Sequence, residues 1–222
     1  MPVSIVYRKG LARDGKRPLC CGRTFLAAGM VDEARAEALR VLEALRPYVE
    51  RGIRIIGLEP SCLLTLRDEY LVMALGAEAG PLAERALLFE EFLAEEADAG
   101  RLKLDLAPLA TGTALLHGHC HQKAFDAMPA VRRVLNLIPE LKVETVETSC
   151  CGMAGSFGYE QEHFETSMKM AELALLPKVR SAAADTIVVA DGTSCRHQIR
   201  DGAQREALHV ARVLQRALKG RQ

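Results

Sequence analysis

Hydrophobic and polar positions along this chain switch between two periods, and the switching predicts a layered fold before any chemistry is considered. Residues 3–7, Val-Ser-Ile-Val-Tyr, alternate like a short strand. Residues 9–18 are polar, carry two glycines and a proline, and read as a loop delivering Cys20 and Cys21. Over residues 31–46, Val31, Ala34, Ala38, Val41, Leu42 and Leu45 form the stripe of an amphipathic helix. Asp32 and Glu33 in its first turn and Arg46 in its last match the helix dipole, and Pro47 ends or kinks it. Residues 53–58 predict a buried strand running into Glu59-Pro60-Ser61-Cys62. Leu82, Ala86, Phe89, Leu93 and Ala97 mark another helix, with Gly100 at its end. Residues 102–113, holding Pro108 and Gly112, look like a junction between halves.

The second half opens with a strand at 114–116 that delivers His117-Gly118-His119-Cys120-His121. Pro129 suits the first turn of a helix striped by Val131, Val134, Leu135 and Ile138. A strand at 143–147 leads into Cys150-Cys151-Gly152, and Phe164, Met168, Ala171 and Leu175 then share a helical face. A strand at 185–190 runs into Asp191-Gly192-Thr193-Ser194-Cys195, and a final helix carries Ala207, Val210, Leu214 and Leu218. Strands alternating with helices argue for parallel α/β units. Each half repeats Cys-Cys-Gly, helix, strand and Ser-Cys, with 41 positions from Cys21 to Cys62 and 44 from Cys151 to Cys195. The expected architecture is two pseudo-repeated Rossmann-like units, 1–108 and 109–222, with mainly parallel sheets and cysteines at the C-terminal ends of strands.

Composition narrows the function classes. The chain has 222 residues, is 49% hydrophobic and 26% charged, and has zero formal net charge. That balance offers no electrostatic reason to expect nucleic acid. No apolar run reaches the length of a spanning helix, and the start lacks a signal-peptide pattern. Seven cysteines, four of them in adjacent pairs, do not suggest a disulfide scaffold, so a reducing cytoplasm is expected.

The adjacent cysteines carry the chemistry. A disulfide between neighbours would be strained, whereas two thiolates can serve one metal centre while Gly152 lets the chain turn tightly. The bland alternative is a pair of small core residues. In the second half Cys120, Cys150, Cys151 and Cys195 can converge, and four thiolates suit an iron–sulfur cluster or a tetrahedral zinc. Spacing does not choose between them. Cys20, Cys21 and Cys62 would make a second, incomplete site unless Glu59 or a foreign group completes it. His117, His119 and His121 flank Cys120; in an extended stretch His119 and His121 lie opposite the thiolate, which favours surrounding roles over ligation. His119, His121, Gly152 and Ser194 are therefore expected around the thiolates, and Arg23, Lys123 and Arg196 could offer positive charge nearby. No phosphate loop, catalytic triad, zinc-protease helix or independent acid–base site is legible.

At these residues the chain resembles the cysteine-rich CCG domain family. That family includes the B-type component of heterodisulfide reductase, the iron–sulfur subunits of glycolate oxidase and lactate-utilisation systems, and the C-terminal parts of fused FAD-linked oxidases. Gly118-His119-Cys120-His121, Ser149-Cys150-Cys151-Gly152 and Gly192-Thr193-Ser194-Cys195 match one copy of its motif. Leu19-Cys20-Cys21-Gly22 and Glu59-Pro60-Ser61-Cys62 match another, N-terminally truncated copy. The family pattern ends in Cys-x-x-Cys, and here Glu59 and Gly192 stand at its first position. The resemblance implies a [4Fe–4S]-type cluster, with zinc as the alternative cofactor. It implies an electron-transfer component of an oxidoreductase, served by an FAD-containing, glycolate- or lactate-type 2-hydroxy-acid dehydrogenase. Electrons would pass to a further carrier such as a quinone, with the protein peripheral to the inner membrane face through partners. A zinc-stabilised interaction module and a thiol–disulfide reductase are the competing readings.

Overall fold

The computed structural model describes residues 18–220, so the predicted strand at 3–7 and most of the loop at 9–18 lie outside the described residues. Two compact units divide the chain. One holds the described residues up to Gly57 together with Ser61–Leu88; the other holds Leu58–Pro60 and everything from Phe89 onward.

In the first unit, the predicted amphipathic stripe becomes the helix Val31–Glu50, which buries Ala34, Ala38, Val41 and Leu42. It runs through Pro47. The stripe packs against the helix Ala79–Arg85, and burying Val41 and Leu42 contributes about 1.5–3 kcal/mol each, enough to carry one helix-breaking residue near the end. Strand β1, Ile55–Gly57, pairs in parallel with β2, Ala86–Leu88. The helix predicted through 82–97 is therefore wrong at its centre: Ala79–Arg85 and Phe89–Asp98 are helical and β2 separates them. Ala86-Leu87-Leu88 fits either period locally, and pairing with β1 decides in favour of the strand.

The second unit is built on a four-stranded parallel sheet of order β4-β3-β5-β6, with β3 at Thr113–Leu116, β4 at Lys142–Thr145, β5 at Ile187–Val189 and β6 at Ala207–Leu208. The α/β, parallel expectation holds. Register pairs Leu115 with Glu144 on one side and with Val188 on the other. Alternation along β3 splits the core between two faces. Ala114 and Leu116 join a cluster with Val131, Val134, Val213 and Leu214, while Leu115 joins Leu175, Val179 and Ile199. Helices Met128–Leu135 and Val210–Ala217 thus supply one face, and Leu175–Ser181 and Thr193–Ala203 the other. The predicted last helix starts later than its stripe, because Ala207 and Leu208 form β6 on β5. Among the described residues, no helix is long and apolar enough to cross a membrane.

Candidate metal centre

The chain leaves β3 for β4 on one side and later returns to β5 on the other, so the connections diverge between β3 and β5. Ligands of open parallel sheets collect outside the strand ends at such a point. Here β3 runs into 117–120, β4 into 146–152 and β5 into 190–195. No disulfide joins the seven cysteines.

Cys120 is the first residue of the short helix Cys120–Ala124. His119 caps it, its Nδ1 accepting from the His121 amide at 3.2 Å while Gln122 Oε1 accepts from the His119 amide at 3.0 Å. This overturns the extended reading of 117–121. The strand stops before Cys120, and the His119 and His121 rings stack at 5.2 Å. His119 is buried and His121 half-buried.

Cys150 and Cys151 sit on a turn that only glycine allows. Gly152 has φ of +91°, and a Cβ there would lie 2.2 Å from the carbonyl oxygen of Ser167. Its N–H donates to Cys150 Sγ at 3.2 Å. Cys151 is 2% exposed, and Cys195, in the first turn of the helix Thr193–Ala203, is 1% exposed. Ser194 is half-buried in that same turn.

The four thiols neighbour one another in the order Cys120, Cys150, Cys151, Cys195, and each biases the next. Cys150 is pushed far below the ordinary thiol range, first by Cys120 and then by Cys151. Cys195 is lowered mainly by Cys151, with further help from His117, against its burial. Cys120 and Cys151 are raised correspondingly, each chiefly by the Cys150 thiolate beside it. Such a row of buried and half-buried sulfurs fits a thiophilic metal group, which would replace shared protons with metal–sulfur bonds.

His117 is the residue that sequence reasoning undervalued. It is 1% exposed, and neither ring nitrogen has a hydrogen-bonding oxygen or nitrogen partner among the described residues. One ring nitrogen, Cys151 Sγ and Cys195 Sγ lie within 4.8 Å of one another. Strand parity explains the placement: His117 follows Leu115 by two, and Leu115 belongs to the cluster that holds Cys151 and Cys195. That parity was readable; which face carries the thiols was not.

Polar groups fasten the loops. Gln122 Nε2 donates to Asp191 Oδ2 at 2.8 Å, and Asp191 Oδ1 accepts from the Val210 amide at 2.9 Å. Gln198 Nε2 donates to the Cys151 carbonyl at 2.9 Å. Lys123 Nζ donates to the Thr148 and Ser149 carbonyls at 2.5 and 2.7 Å, and Arg196 donates to the Ala190 and Asp191 carbonyls. These two cations thus hold the backbone as well as supplying charge. His197 turns to the Tyr159 hydroxyl, at 2.7 Å.

In the first unit, Gly22 repeats the turn, with φ of +83° and its N–H 3.5 Å from Cys20 Sγ. Cys62 lies in the helix Pro60–Arg67 and donates to Cys21, whose thiol falls to about 7. Tyr70, buried, donates to the Cys21 carbonyl at 3.1 Å, and Arg23 pairs with Glu69. Glu59 belongs to the second unit, where it accepts from Thr193 N and Oγ1 at 2.9 and 2.8 Å.

Residues 114–200 match the family model of the cysteine-rich CCG domain. The component designated C of the anaerobic glycerol-3-phosphate dehydrogenase from Escherichia coli (strain K12) is 30% identical over 200 residues, covering 90% of this chain and 49% of that protein. D-2-hydroxyglutarate dehydrogenase of Pseudomonas putida is 29% identical over 196 residues, 87% of this chain and 18% of that protein. The Escherichia coli D-2-hydroxyglutarate dehydrogenase is 30% identical over 176 residues, 78% and 16% respectively. The chain therefore spans about half the length of the first of these relatives and under a fifth of the others.

Proposed function

This chain belongs to the cysteine-rich CCG domain family through residues 114–200, and from that premise we propose that it is the electron-transfer part of a flavin-linked dehydrogenase. What supports the reading is that Cys120, Cys150, Cys151 and Cys195 follow β3, β4 and β5 of the second unit with no disulfide among them. Under it, these four thiolates hold a [4Fe–4S]-type cluster, and Cys20, Cys21 and Cys62 form a three-cysteine counterpart in the first copy. The residues 1–108 and 109–222 are then the two copies of one ancestral unit.

The cluster would accept and release single electrons. The chain's own residues hold it and exclude water, with Cys151 and Cys195 buried and His119, His121, Gly152 and Ser194 around them. The Gly152 N–H aimed at Cys150 Sγ, and the positive charge of Lys123 beside Cys120, favour extra negative charge at the centre. The flavin partner would oxidise a small hydroxylated acid or phosphorylated alcohol. Glycerol 3-phosphate and D-2-hydroxyglutarate, the substrates in the relatives' names, stand beside glycolate and lactate as candidates. A quinone is the proposed downstream acceptor. We place the protein in the cytoplasm, meeting the inner membrane face through partners, which suits seven cysteines free of disulfides.

A zinc site is the second reading, favoured by how closely His117, Cys151 and Cys195 approach one another, a spacing that suits one tetrahedral ion. Anaerobic purification with iron, sulfide and zinc analysis and a visible spectrum tests both. Iron with acid-labile sulfide and a brown colour is expected. Stoichiometric zinc in a colourless protein would replace the electron-transfer reading with a structural one.

A further inference from the structure

The first position of the family's Cys-x-x-Cys is vacant of sulfur here: Gly192 stands there. It has no room for a cysteine. A Cβ at 192 would lie 2.4 Å from His119 Cδ2 and 3.2 Å from Cys195 Sγ. His119 cannot easily yield, because its Nδ1 is tied to the His121 amide and its own amide to Gln122. Any donor standing in for that cysteine must therefore come from elsewhere.

We propose that His117 is that donor, an imidazole nitrogen bound to the metal centre together with Cys151 and Cys195. The inference rests on the metal-holding role of those cysteines, and it applies whether the metal is iron in a cluster or a single ion. His117 is 1% exposed, both its ring nitrogens lack an oxygen or nitrogen partner among the described residues, and the ring reaches the Cys151 and Cys195 sulfurs within 4.8 Å. A histidine kept only for packing, at the end of a buried strand, would be expected to find a carbonyl or hydroxyl for its N–H. Ligation satisfies one nitrogen and accounts for the orientation. Neutral imidazole in place of an anionic thiolate also leaves the centre one unit less negative, so it is more easily reduced. That suits a group taking electrons from a flavin.

The test uses the full chain, purified anaerobically, with His117→Cys and His117→Phe variants. Pulsed EPR of the reduced parent should show a strongly coupled nitrogen. In H117C the iron should be retained, the nitrogen coupling lost and the midpoint potential lowered. H117F fills the space without a donor. It should keep the parent's circular dichroism and bind Co2+ in the metal-free chain more weakly by at least about tenfold, the lower end of what losing even an outer partner costs. A cluster-loaded parent with no nitrogen coupling, or a coupling that survives in H117C, overturns the assignment. If the parent carries no iron, the electron-transfer reading fails by itself, and the Co2+ titration still decides: unchanged affinity in H117F overturns the ligand.

Discussion

At Gly22 and at Gly152 the backbone does the same thing. Both glycines have positive φ, both send an N–H towards the sulfur two residues back, and both press against a helix carbonyl, Ala34 in one case and Ser167 in the other. What surrounds the two turns differs. The second sits beside strand ends that bring in Cys120, Cys195 and His117, so four sulfurs and an imidazole gather. The first lies in a unit with a two-stranded sheet, where Cys62 is the one further cysteine and Tyr70 occupies the Cys21 carbonyl. A Cys-Cys-Gly turn is thus a local device for presenting two thiols. Whether it becomes a metal site depends on how many other chain segments end beside it.

The largest effect should separate the two turns outright. Replacing Cys195 or Cys120 by Ala is expected to remove essentially all cluster iron, whereas Cys62→Ala should leave most of it. Iron and sulfide per chain measure this. Equal losses from Cys62→Ala and Cys195→Ala would make the two turns equivalent sites and break the comparison.

Next comes the turn itself. Gly152→Ala forces a Cβ to 2.2 Å from the Ser167 oxygen at a left-handed φ, against 2.7 Å from the Ala34 oxygen for Gly22→Ala. The strain and overpacking together should cost roughly 2–5 kcal/mol at Gly152 and less at Gly22. Urea unfolding of the metal-free variants gives the difference; a larger loss at Gly22 would contradict the packing account.

A pH experiment sharpens the contrast in the first unit. Cys21 is acidified because Cys62 donates to it, so in the metal-free chain its alkylation rate should rise through a pH of about 7. Cys62→Ala removes the largest acidifying cause and leaves burial, which disfavours the thiolate, against the smaller effects of Arg23 and the backbone amides, so the midpoint should climb towards the ordinary 9.0. Mass spectrometry of iodoacetamide-labelled peptides follows it. A midpoint that stays near 7 in the variant would assign the acidity to another cause.

The smallest effect concerns loop anchoring in the second unit. Lys123→Met removes the bonds to the Thr148 and Ser149 carbonyls and should cost about 1–2 kcal/mol, with faster amide exchange around 148–152. Unchanged exchange there would mean that Gly152 and Gln198 hold the loop without it.

The sequence by itself determined a good deal. Period-two and period-3.6 stripes located β1, β3, β4 and β5 and the helix Val31–Glu50, because burial on one face writes its period into neighbouring residues. Cys-Cys-Gly announced both turns, since a left-handed backbone position leaves glycine little competition. Tertiary structure alone decided the rest. β2 and β6 are two or three residues long and owe their existence to partners remote in sequence, Ile55–Gly57 and Ile187–Val189. In the sequence, His117 looks like one of three equivalent neighbours of Cys120. Its difference comes from the end of β3, where the alternation stops and the helix Cys120–Ala124 begins, and from the sheet order, which seats β5 and its Cys195 next to β3. Sheet order is fixed by long-range packing of both faces at once, and no local run of residues encodes it.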